Sequence, residues 1–151
     1  LYDQNEDVLN RMDSLSEEQK AASLESLRQM VESAKAAADP ESSQMLLDVP
    51  QSYWASLNAM DTAEAARELT IPMLFLQGTA DFQVKMETDF AAWQQVLEGH
   101  SNAQFQSYEG LNHLFMPTNG KMDASEYETP GQVDSRVIGD IAAFIQGNAE
   151  T

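Results

Sequence analysis

Two side chains in this sequence stand where an acid and a base could work together. Asp81 lies in "IPMLFLQGTADFQV" (71–84), three residues past the glycine that stops an apolar run. His113 lies in "YEGLNHLF" (108–115), just after an aromatic, alternating stretch. A carboxylate bonded to one imidazole nitrogen fixes the tautomer and stabilises the imidazolium. The other nitrogen is then free to take a proton from a nucleophile. Each residue also has a plainer use. An aspartate beyond a strand-ending glycine is often a turn former or a helix N-cap, and a lone loop histidine is more often structural or solvated. The pair, acid first and histidine second at two matching strand ends, favours the acid–base use. His100, in "EGHSNA", falls in a helix-to-strand turn at the other end of a sheet and reads as a surface residue.

The elements that would position the pair can be read from the second half of the chain. Met73 to Leu76 is a continuous apolar run that reaches a glycine at once, the texture of a strand buried on both faces of a parallel sheet. That strand is expected over about 72–78. Met86, Phe90, Trp93 and Leu97 recur at helical steps, and Gly99 stands where a C-cap would be. "AQFQSYEG" (103–110) alternates and gives a second strand over about 103–109. Val137, Ile138, Ile141, Phe144 and Ile145 make the apolar stripe of a last helix, about 133–146. Strand, helix, strand, helix implies an α/β architecture with parallel strands. Ligands bind outside the carboxyl ends of strands in such sheets. Neighbouring strands lie roughly 5 Å apart, so Asp81 and His113 are within reach of each other.

The first part, residues 1–60, reads helical. "SEEQ" (16–19) is a capping box, followed by Ala21, Leu24, Leu27, Val31 and Ala34 at helical spacing, and "ADP" (38–40) ends the pattern. A shorter helix over 2–12 precedes it. Pro50 opens a short helix that carries Tyr53, Trp54 and Leu57. "DTAE" (61–64) is a second capping box and begins the part that runs to 151.

The half from Ile71 to Gln146 resembles the C-terminal part of an α/β-hydrolase of the dienelactone-hydrolase and prolyl-oligopeptidase-like type. "PMLFLQGTADFQV", "YEGLNHLF" and the closing "VIGDIAAFI" carry the resemblance. It implies a partial α/β-hydrolase fold: the last two parallel strands with flanking helices, preceded by a helical cap-like segment (1–60). It also implies that Asp81 is the acid and His113 the base of a serine triad, acting on a small-molecule ester or peptide-like substrate. One departure is large. The family's nucleophile stands on a G-x-S-x-G elbow before the acid, and no such string occurs here. "GHSNA" (99–103) lacks the second glycine and joins a helix to a strand, the reverse context. The expectation is therefore a C-terminal portion whose nucleophile lies upstream of Leu1, inactive by itself. The alternative is a non-catalytic binding or interaction module on a hydrolase scaffold. Tyr53 and Trp54 would reach the pocket from the cap, or else pack cap on sheet. Met116, Pro117, Met122 and Tyr127 would form a substrate rim in the long loop 114–132. Glu126 and Glu128 read as a solvated face.

Bulk properties narrow the partners. The chain has 151 residues and a formal net charge of -17. Nucleic acid and anionic membrane both call for basic patches and are excluded as partners. No cysteine is present, and the two histidines are far apart in sequence, so neither a metal nor a cofactor is expected. The compartment stays open, with a lean to a secreted or cell-surface bacterial protein. A parallel strand with a bare edge presents unpaired N–H and C=O groups, so self-association is expected.

Overall fold

The computed structural model describes residues 2–148, so Leu1 lies outside the described residues. The chain divides into two compact units, Leu1–Thr62 and Ala63–Thr151.

The first unit is helical. α1 (Tyr2–Arg11) precedes α2 (Glu17–Lys35). The capping box at the start of α2 is complete: Gln19 N–H donates to Ser16 Oγ (3.2 Å) and Ser16 N–H to Gln19 Oε1 (2.9 Å). At the other end, Asn58 Nδ2 donates to Ala34 O (2.7 Å), Lys35 O (3.0 Å) and Ala37 O (3.0 Å), covering carbonyls that a helix terminus leaves open. Asn58 closes α3 (Gln51–Asn58), for which Pro50 is the N-cap. Between the helices, β1 (Met45–Leu46) pairs antiparallel with β2 (Val49–Pro50). Its two turn residues, Leu47 (φ 52) and Asp48 (φ 64), are both left-handed. The hairpin has no strong sequence signal, because leucine seldom takes that conformation. Among the described residues of this unit, Ala34 and Ala55 are the buried apolar ones, so the core they form is thin.

The second unit carries the sheet. α4 (Thr62–Glu68) leads into it, and Asn102 Nδ2 ties down the following turn through Leu69 O (2.8 Å) and Ile71 O (2.9 Å). β3 (Met73–Gly78) and β4 (Ala103–Tyr108) pair parallel, in register from Met73 with Ala103 to Gly78 with Tyr108. Phe75 stacks on Phe105 (ring centroids 4.7 Å apart), and Trp93 and Phe90 close over them on that face. On the other face Leu76 and Phe115 pack against a core of Tyr108, Leu111 and Val137. Val137 belongs to α6 (Ser135–Asn148). The unit is thus a small mixed α/β arrangement, compatible with part of an α/β fold.

Three details differ from the sequence reading. Met73–Leu76 is half-buried rather than fully buried, although side chains pack on both faces of the strand. The helix after β3 opens with a π-turn, Met86–Phe90, before α5 (Ala91–Val96). Asp89 Oδ2 accepts from Lys85 N–H (2.9 Å), while Phe90 N–H reaches back five residues to Lys85 O (3.2 Å). The third detail is His100, which is half-buried, with a buried Nδ1 that has no hydrogen-bond partner among the described residues. No described helix is long and apolar enough to cross a membrane.

Candidate active site

The site is built where β3 and β4 end. Beyond Gly78 the chain turns at once: Thr79 N–H donates to Tyr108 O (2.9 Å) and Ala80 N–H to Leu111 O (2.9 Å). These two bonds dock the loop after β3 onto the loop after β4. Gly78 allows the approach, because a Cβ there would lie 2.8 Å from Asn112 O and closer still to Leu111 O. No larger residue fits without moving one backbone or the other.

Asp81 sits at the tip of the first loop and is 8% exposed. Its carboxylate is fully engaged. Oδ1 accepts from Gln83 N–H (2.8 Å) and Val84 N–H (3.0 Å), an Asx-type turn. Oδ2 accepts from Gln77 Nε2 (3.0 Å) and meets His113 Nδ1 at 2.8 Å. The turn-forming use of Asp81 and the histidine contact therefore coexist, one on each oxygen. The carboxylate selects the tautomer with the proton on Nδ1. Nε2 makes no hydrogen bond among the described residues, and the His113 side chain is 42% exposed.

His113 stands on a tight turn. Asn112 N–H donates to Met116 O (2.9 Å), Phe115 N–H to Asn112 O (2.9 Å) and Thr118 N–H to Gly110 O (2.9 Å). Phe115 takes a left-handed φ of 54°. Asn112 itself is 1% exposed, and its Oδ1 accepts from Leu114 N–H (3.0 Å) and Met116 N–H (3.2 Å). A cavity of about 280 Å³ opens beside the pair. Apolar Phe75, Val84, Phe90 and Trp93 line it together with Asp81 and His113. A larger one, about 410 Å³, lies between β4 and α6, lined by Gln104, Gln106, Asp140 and Phe144, and holds neither residue of the pair. The smaller cavity is the relevant one, since it adjoins groups that can move a proton.

Other sequence-selected residues fall elsewhere. Tyr127 lies on a 3-10 turn, Ala124–Glu128, and its hydroxyl donates to Gln83 Oε1 (2.7 Å). Its ring stacks on Phe82 (5.6 Å between centroids). Burial, then the nearby Asp81 and Glu126 charges, hold the Tyr127 hydroxyl above its usual pKa. Met116 is half-buried and lines a separate cavity of about 90 Å³ with Asn112, Pro117 and Gly131. Tyr53 and Trp54 belong to α3 of the first unit. Trp54 Nε1 donates to Leu46 O (2.9 Å), its ring meets Tyr53 edge-on at 5.3 Å, and it lines a cavity of about 190 Å³ with Val31, Ala34 and Leu57.

Glu126 corrects the reading of a solvated face. It is 3% exposed, and Thr118 Oγ1 (2.7 Å), Met122 N–H (2.8 Å) and Asn112 Nδ2 (3.2 Å) all donate to it. Burial pushes its pKa up, but those three donors outweigh it and hold the carboxyl below its ordinary value. Gln77 and Asn112, the other two buried polar residues at the site, escaped sequence reasoning. A polar amide at the end of an apolar strand was the signal for Gln77. Among the described residues no cluster of three histidine or acidic side chains could hold a metal.

In comparison with known proteins, the chain is 38% identical over 102 residues to Esterase EstD of Thermotoga maritima. The match takes in 68% of this chain and 24% of that protein, so the chain spans about a quarter of its relative's length. No family model matches, and no solved structure matches.

Proposed function

We propose that this chain is the acid- and histidine-bearing part of a serine hydrolase acting on esters, of the α/β-hydrolase type related to dienelactone hydrolases and prolyl oligopeptidases. The nucleophile comes from polypeptide outside these 151 residues. The observation that carries the reading is the 2.8 Å contact between Asp81 Oδ2 and His113 Nδ1 at the ends of two parallel strands. The 38% identity to a stretch of an esterase favours an ester over a peptide-like bond.

In this mechanism a serine hydroxyl attacks the ester carbonyl while His113 Nε2 takes its proton. Asp81 holds the ring in place and stabilises the imidazolium. The proton passes to the leaving alkoxide, an acyl-enzyme forms, and water repeats the sequence to release the acid. The cavity beside the pair offers the apolar side chains of Phe75, Val84, Phe90 and Trp93 to an acyl or alkyl group, and its Asp81 and Asp89 carboxylates disfavour an anionic one.

A fluorophosphonate probe and p-nitrophenyl acyl esters test the proposal. This chain alone should neither label nor hydrolyse. A longer polypeptide that contains it should do both, with the label on a serine outside it. Stoichiometric labelling of Ser101, or of any serine in this chain, contradicts the account. A longer polypeptide that stays inert points to a binding module instead.

A further inference from the structure

His113 is an exposed residue two positions beyond Leu111, whose carbonyl already ties the two loops together through Ala80 N–H. A second set of ties lies behind the pair. Two consecutive residues of one 3-10 turn, Ala124–Glu128, hold the two loops: Glu126 Oε2 receives Asn112 Nδ2 (3.2 Å), one residue from His113, and Tyr127 Oη donates to Gln83 Oε1 (2.7 Å), two residues from Asp81. Burying a carboxylate is costly, and Glu126 is buried with three donors around it. Loop closure alone does not require a charge there.

We propose that the turn Ala124–Glu128 is a positioning brace: Glu126, through Asn112, and Tyr127, through Gln83, set the geometry of the Asp81–His113 pair. The inference rests on the reading of that pair as an acid and a base. Neither Glu126 nor Tyr127 hydrogen-bonds to a member of the pair; each acts through its partner. The loop 114–132, long for a strand-to-helix connection, thereby has a reason for its length.

The two oxygens of Glu126 do different work, which makes a sharp test possible. Oε1 serves the turn itself, accepting from Thr118 Oγ1 and Met122 N–H, whereas Oε2 serves Asn112. In Glu126→Gln the amide oxygen can keep the first two bonds, but its NH₂ then faces the NH₂ of Asn112. Asn112 cannot turn over, because its Oδ1 is held by two backbone N–H groups. Adding Asn112→Asp restores a donor–acceptor match across the contact with the net charge unchanged.

The readout is the ¹⁵N spectrum of the imidazoles in this chain. There are two histidines, so a His100→Gln variant assigns His113. In spectra recorded where the ring is neutral, the wild type should show the His113 proton on Nδ1 alone. Glu126→Gln should replace that signature by a mixture of tautomers, and the double replacement should bring it back. Tyr127→Phe, which removes one hydroxyl, should shift the mixture the same way and answers the question if Glu126→Gln does not fold. A folded Glu126→Gln or Tyr127→Phe chain with an unchanged single tautomer overturns the brace and leaves the pair standing. A wild type with mixed tautomers removes the pair itself, and the brace with it.

Discussion

Gln77 Nε2 lies 3.0 Å from Asp81 Oδ2, the same oxygen that meets His113 Nδ1. Gln77 is 5% exposed and also donates to Val84 O (2.8 Å), so a single amide ties the end of β3 to both sides of the acid's turn. Gln77→Ala leaves a part-buried carbonyl and a buried carboxylate oxygen short of a donor. We expect a loss of about 1–3 kcal/mol in stability, read as a lower urea midpoint at unchanged slope. A midpoint equal to wild type would show that the amide is dispensable.

Gly78 is the point of closest approach between the two loops. Gly78→Ala places a methyl group against Leu111 O and Asn112 O. Neither carbonyl can retreat without breaking a bond, since Leu111 O accepts from Ala80 N–H and Asn112 O from Phe115 N–H. The expected cost is about 1–3 kcal/mol or more, equivalent to a fall of roughly 2–4 °C in Tm per kcal/mol for a chain of this size. A Tm within about a degree of wild type would contradict the packing described here.

Stability should fall at both ends of the pH scale, for identified reasons. Glu126 is held below its ordinary carboxyl value in the folded state: burial raises its pKa, but the Thr118, Met122 and Asn112 donors outweigh it. Its contribution is present above the unfolded pKa and is lost as pH falls through the folded one. Tyr108 is pushed up from 10.0 to about 12, first by burial and then by the hydroxyl's bond to Asp140 Oδ2 (2.8 Å). Its contribution is complete below the unfolded value and disappears as pH climbs through the folded one. Urea midpoints across pH should therefore drop on the acid side less in Glu126→Gln than in wild type. On the alkaline side the drop should be shallower in Tyr108→Phe. Parallel curves for wild type and variant would remove the corresponding group from the account.

We expect the chain to associate with copies of itself. Among the described residues its parallel sheet has two strands, so each strand keeps one open edge. Ile138, Ile141 and Ile145 of α6 are 57%, 39% and 60% exposed. The charge of -17 opposes contact, but at about 0.15 M salt it is screened beyond roughly 8 Å. Light scattering over a range of concentrations checks this. A mass that stays monomeric at high concentration would show the open edges to be harmless.

Much of the second unit was legible in the sequence because its signals are local. The signals for β3, β4 and α6 were an apolar run ending in glycine, an alternation and a 3.6-residue stripe. Asp81 and His113 stood out because both follow a strand end. What stayed hidden depends on partners distant in sequence. Glu126 looks like any loop carboxylate until Thr118 and Asn112, eight and fourteen residues away, fold around it. The π-turn at Met86–Phe90 leaves the apolar spacing intact, so periodicity could not reveal it. The Tyr127 hydroxyl finds Gln83 across forty-four residues, and no local pattern encodes that bond.

The most direct test is kcat/KM for an acyl ester in a longer, active polypeptide carrying this chain, with and without His113→Ala. Triad members act as a unit, so removing the base should lower the rate by roughly three orders of magnitude or more, with KM changed little. A loss of less than about tenfold would take His113 out of the mechanism and the Asp81–His113 pair out of the active site.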